Sequence, residues 1–147
     1  MSNTVVFHSA DEIALIVRRL ECCDFAKGEF THALHLVVAA WYASRYTDEE
    51  ALTRMRSGLL HLTQKFGVKA YHETTTQFWM RISRDFLASE GSGSSLPVSG
   101  NRFIEAFGAK DVIHQYYSRE LLQSDLAKNN WVEPDLKPIS SAVSGSM

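Results

Sequence analysis

Cysteine is scarce in this sequence. Its 147 residues include only Cys22 and Cys23, side by side. Adjacent cysteines make a poor disulfide framework and no third one offers a partner, so free thiols in a reducing cytoplasm are expected. Long apolar runs are also missing. The longest stretch without a charged side chain, Phe30 to Ser44, has 15 residues and contains two histidines. That is too short and too polar to span a bilayer, so no membrane partner is expected. The opening MSNTVVFHSADE lacks the basic start and long apolar core of a secretory leader. Basic charge is not concentrated either. The formal net charge is −2, and basic residues come in small pairs such as Arg18–Arg19 or Arg54 and Arg56, which argues against a nucleic-acid partner. No phosphate-cradling glycine loop, nucleophile elbow or HExxH motif occurs. There is no internal repeat, and only Val5 to Phe7 offers a strand signal.

What remains is the make-up of a one-domain globular chain, 45% hydrophobic and 22% charged. The patterning predicts an all-α fold. Ser9-Ala10-Asp11-Glu12 reads as a capping box, and Ile13, Ile16, Val17 and Leu20 recur at helical spacing, predicting a helix over 10–21. A second helix is expected from about Glu29 to Tyr46; it is apolar nearly all round, as a central buried helix would be. Thr47-Asp48-Glu49-Glu50 is another capping box, and Gly67 suits the end of the helix it opens. A fourth helix should begin between Tyr71 and Thr74, with Thr75, Trp79, Ile82 and Phe86 on one face. Residues 89–101, SEGSGSSLPVSGN, read as a flexible Gly/Ser-rich loop without an apolar face. Short helical pieces are expected near 102–107, 109–117 and 118–128. They should pack across the bundle through Phe103, Phe107, Tyr116 and Trp131. The single domain then covers 1–138, with a frayed tail over 139–147.

Short connections favour antiparallel neighbours, which would bring the starts of the second and fourth helices to one end. His32 and His35 are three apart near the start of the second helix, among apolar neighbours, so both imidazoles need partners. His72 begins the fourth helix. Three histidines would thus converge, and neutral imidazole is a good zinc or iron ligand. Structural or directly catalytic histidines are the alternative. Glu73 reads either as an acid favouring a helix N-terminus or, turned inward, as a ligand or general base. The remaining candidates carry weaker signals. His61 falls on the polar side of its helix, His114 lies beside Gln115, Tyr116 and Tyr117, and His8 lies near the chain start. Trp41, Phe78 and Trp79 read as core, and Tyr42, seven residues after His35, is the best hydroxyl candidate.

Three blocks, FTHALHLVVAAWY, YHETTTQFW and YYSRELLQSDLAKNNWVEPDLKP, resemble an uncharacterised bacterial family of small all-helical proteins. Its pattern is F/W-x-H-x-x-H-L, then Y-H-E-T-x-T-x-x-W, then Y-S-x-x-x-L…PDL. The resemblance covers about residues 12–138. It implies a site at His32, His35, Tyr71, His72, Glu73, Thr74 and Thr76. Leu34 stands where relatives often have a polar or acidic residue, and Tyr116 where a histidine often precedes the Tyr-Ser pair.

The leading expectation is a metal-dependent enzyme acting on a small molecule. His32, His35 and His72 would be ligands to zinc or iron, Glu73 and His72 the catalytic pair, and Tyr42, Tyr71, Thr74 and Thr76 the supporting shell. One alternative is a non-catalytic ligand-binding or interaction module with structural histidines. The other is a cofactor-free acid–base enzyme using His72 and Glu73. The expected partner is a small-molecule ligand or substrate; a homodimer is a further option.

Overall fold

Each of the first four helices starts where a polar side chain takes up one of its free N–H groups. The structure, a computed structural model, describes residues 6–91 and 93–139. Ser9 caps α1 (Ala10–Glu21), accepting from Glu12 N–H at 3.2 Å, while the Glu12 carboxylate accepts from His8 N–H at 2.6 Å. Thr31 caps α2 (His32–Arg45), Thr47 caps α3 (Asp48–Lys65), and the His72 ring caps α4 (Glu73–Glu90). Beyond them lie α5 (Leu96–Phe107), a 3₁₀ turn (Lys110–Gln115), α6 (Arg119–Leu122) and α7 (Asp125–Asn129). The fold is all-helical, with no strand among the described residues. Val5 lies outside them, and Val6 and Phe7 are not in a strand. Of the expected tail, residues 140–147 also lie outside. None of the described helices is long and apolar enough to cross a membrane.

Helix α2 is the hub. Leu36 to Ala40 and Tyr42 are all buried, and α1, α3, α4 and α5 pack around it. It starts at His32, three residues later than its composition suggests. Glu29 is drawn into the preceding turn, where its carboxylate accepts from Ala26 N–H at 2.9 Å and pairs with Arg19 at 2.9 Å. Gly28 makes that turn at φ +83°, a backbone angle open to glycine at little cost. Thr31 is thereby left as the first residue able to cap.

The Gly/Ser-rich reading of residues 89–101 needs correction. Helix α4 runs on to Glu90 and α5 begins at Leu96, leaving only 91–95 as the connection. What looks like linker composition is a close-packing face. Ser99 and Gly100 are buried, and a Cβ on Gly100 would come within 3.3 Å of Val37. Small residues there let α5 approach α2, while Phe103 and Ile104 supply its apolar area. Glu90 holds the turn by accepting from Arg102 at 2.9 Å and from the Ser99 hydroxyl at 3.3 Å. The C-terminal residues do cross the bundle through aromatic contacts. Phe103 packs tilted and Phe107 edge-on against Phe86, Tyr116 sits 5.0 Å from Phe78, and Trp131 sits 6.4 Å from Tyr117. Tyr117, which the patterning does not single out, is fully buried and donates to the Val132 carbonyl at 2.6 Å.

Helices α1 and α3 meet at Gly58, where an added Cβ would stand 2.8 Å from Cγ of the fully buried Leu20. Alanine in a helix gains about 1 kcal/mol over glycine, but overpacking a closed contact costs about 1–3 kcal/mol. Because the clash falls on a branch atom of a side chain with no free space, the packing cost should win. Gly58→Ala is expected to lower the urea midpoint, and Leu20→Ala in the same chain to cost less than it does alone. An increase in stability from Gly58→Ala would show that this contact has slack.

Candidate functional site

The starts of α2 and α4 do share one end. Together with the last turns of α3 they wall a cleft of about 350 Å³, lined by Phe30, Thr31, His32, His35, Leu59, Thr63, Ala70, Tyr71, His72, Thr75 and Thr76. All three expected histidines are in that lining. Both nitrogens of His72 and the Nε2 of His32 are engaged elsewhere.

His72 is held at both ends of its ring. Nδ1 accepts the Thr75 N–H at 3.1 Å, capping α4, and Nε2 lies 2.7 Å from the Leu122 carbonyl. A carbonyl only accepts, so Nε2 carries the proton and Nδ1 does not. A metal on either nitrogen would undo the helix cap or the tie to α6. The His32 Nε2 stands 3.1 Å from the Phe107 carbonyl and so donates to it, while its ring packs edge-on against Trp79 at 4.8 Å. The His32 and His35 ring centroids are 6.5 Å apart, nearly perpendicular. Among the described residues, no group of three or more His, Cys, Asp or Glu side chains is placed to hold a metal ion. The donor set does not fit the expected zinc or iron centre.

Glu73 is not placed as a base or ligand either. Arg56 grips it with both arms of its guanidinium, at 3.0 Å to Oε1 and 2.6 Å to Oε2. Tyr71 donates to Oε1 at 2.6 Å and Gln77 to Oε2 at 2.7 Å. Burial alone would raise this carboxyl, but the bonds from Arg56, Tyr71 and Gln77 outweigh it and bring the pKa down to about 2. A carboxylate satisfied by four donors has little tendency to accept a proton near neutrality. Tyr71 is pushed the other way, up to about 12, by its burial and by its bond to Glu73. Its hydroxyl therefore stays a donor.

The threonines follow the same structural pattern. Thr74 is fully buried, donating to the Asn130 carbonyl at 2.6 Å and accepting from Val132 N–H at 3.2 Å. Thr76 donates back to the His72 carbonyl at 2.9 Å. Tyr42 lies in a different groove with Arg54 and His61, donating to Glu21 at 2.8 Å, and takes no part in the histidine cleft. His61 and His8 are exposed, His114 does not line the cleft, and Cys22 and Cys23 are free thiols.

His35 is the exception. Its Nε2 is shut off from solvent and has no hydrogen-bond partner among the described residues. Burial, and secondarily the neighbouring His32, lower its pKa to about 4, so the ring is neutral at physiological pH. An unpaired buried polar atom costs on the order of 1–3 kcal/mol, and such an orphan needs a reason. The sequence points to His35 but not to its neighbours Leu59 and Thr63, which reach the cleft from the C-terminal end of α3. Alternation of helix direction could have placed that end there. Arg56, by contrast, carries no sequence signal linking it to Glu73. No family model, curated protein or solved structure matches the chain, so the site rests on its own geometry.

Two outcomes follow. His72→Ala should cost about 1–2 kcal/mol by removing the cap, whereas His72→Asn should recover part of that by capping without reaching Leu122. Equal losses in urea unfolding would mean that the cap contributes nothing. Acid should also destabilise the protein in stages. The His35 pKa is lower folded than unfolded, so the unfolded chain takes up protons first as pH falls from about 6.5 toward 4. That removes on the order of 3 kcal/mol. The Glu73 contribution is present above about 4.5 and lost as pH falls toward 2. His35→Leu should flatten the first stage of a stability–pH profile and leave the second; an unchanged first stage would refute the assignment.

Proposed function

We propose that this chain is a non-catalytic ligand-binding module whose ligand enters the cleft between the starts of α2 and α4 and hydrogen-bonds to His35. The observation that carries this reading is the contrast within one polar cluster. His72, Glu73, Tyr71, Thr74 and Thr76 all have bonding groups engaged in holding the fold. Of the buried side-chain atoms without a partner among the described residues, Ser83 Oγ and His114 Nδ1 belong to residues outside the cleft lining, whereas His35 Nε2 belongs to a residue in the wall of a cleft large enough for a small molecule. A ligand that donates to or accepts from Nε2 would remove that cost on binding, so the penalty of the free state becomes selectivity for a polar group. Acid–base catalysis by His72 and Glu73 is disfavoured, since it would need both groups to leave their present partners.

The test is a titration of the labelled protein with small uncharged probes, such as short alcohols and amides, followed by NMR. Imidazole resonances of His35 should shift together with Thr63 and Thr75, and His35→Leu should remove the response. Shifts confined to the groove of Tyr42 and Arg54 would overturn the reading. Stoichiometric zinc binding abolished by both His35→Ala and His72→Ala would overturn it in favour of a metal centre.

A further inference from the structure

The histidine cleft does not end at Phe30, Leu59 and Thr63. Those three residues also line a second hollow of about 280 Å³, whose other walls are Ala26, Lys27, Gly28, Leu62, Phe66 and Val68. The two hollows therefore share a wall. Their chemistry differs sharply. No charged side chain among the described residues lines the first, whose walls include imidazoles and Thr31, Thr63, Thr75 and Thr76. The second is apolar apart from Thr63 and a single lysine at its margin, and Val68 stands 37% exposed beside it. Phe30 sits at the join, its ring 5.1 Å from Phe25 and 6.1 Å from His35. A polar pocket beside a buried unpaired nitrogen thus adjoins an apolar trough across Phe30, Leu59 and Thr63.

We infer that the ligand is an uncharged amphiphile, with a hydroxyl, carbonyl or amide head bonded to His35 Nε2 and an apolar chain lying over Phe30 and Leu59 toward Phe66 and Val68. The inference rests on the cleft being a ligand site and adds what class of molecule fills it. Among the described residues an anionic head finds no arginine or lysine in the first hollow, and desolvating a carboxylate there without a cation would be costly. A cationic head likewise finds no carboxylate. The neutral state of the His35 ring agrees with an uncharged partner. The apolar chain accounts for the exposure of Val68 beside the partly buried Phe66.

The experiment is an NMR titration of the full chain at pH 7.5 with primary alcohols from butanol to octanol, and with octanoate. Each added methylene should tighten binding about three- to fourfold, because a buried methylene contributes about 0.8 kcal/mol. Resonances of Phe66 and Val68 should join those of His35 as the chain lengthens. Octanoate should bind at least about tenfold more weakly than octanol. Val68→Lys, at an exposed position, should flatten the chain-length dependence. Octanoate binding as tightly as octanol would overturn the uncharged head. A response of His35 to every alcohol with no dependence on chain length would overturn the apolar tail and leave the cleft as a ligand site. No response of His35 to any alcohol would overturn both.

Discussion

The fork between Arg56 and Glu73 is the contact on which this end of the molecule depends. It joins the middle of α3 to the first turn of α4 with two short charge-assisted bonds, and it lies beside a helix N-terminus that favours negative charge. Around it the residues of YHETTTQFW divide the remaining work. Tyr71 and Gln77 complete the carboxylate shell. His72 caps the helix and reaches α6, and Thr74 ties down the backbone at Asn130 and Val132. Two packing neighbours of α4, the helix before it and the chain after α6, are thus oriented from one turn. Burying so many polar groups together is tolerable only because each is paired, since a half-satisfied network would be worse than an apolar one.

That arrangement has a chemical consequence. Side chains rich in lone pairs invite a reading as ligands or bases, yet engagement in the fold removes the capacity to do either. The His72 ring uses one nitrogen to accept and the other to donate, which leaves neither for an ion. Glu73 is held so firmly as a carboxylate that its proton affinity is far below what general-base work near neutrality needs. The rigid clamp instead shapes one wall of a cleft. Reactivity, or at least unmet bonding capacity, shifts one helix over to His35.

His35 occupies that position because α2 is the hub of the bundle. A helix buried on nearly every side must carry apolar residues around its whole circumference, as Leu36 to Ala40 do. A polar ring at the beginning of such a helix can find a partner only in the loops and helix ends that meet there. His32 finds the carbonyl that ends α5, whereas His35 lines the hollow left by the neighbouring helix ends and its Nε2 meets no partner among the described residues. On the other side of Phe30, Leu59 and Thr63 lies the apolar trough lined by Phe66 and Val68.

Much of this was legible in one dimension. The spacing of Ile13, Val17 and Leu20, the caps at Ser9 and Thr47, and the unbroken apolar character of α2 depend on neighbours within a few residues, so local sequence carries them. The clustering of His32, His35 and His72 at one end followed from short connections and alternating helix direction. Residues 96–101 were misread because Ser and Gly look alike in a linker and in a close helix contact; only the presence of Val37 opposite Gly100 tells the two apart. The roles of the polar cluster were likewise beyond sequence. Whether a carboxylate is a base or a strut depends on Arg56, 17 residues away, and whether an imidazole is a ligand or a cap depends on a carbonyl 50 residues away. Residue type sets what a side chain is able to do; which partner it meets across the fold decides what it does.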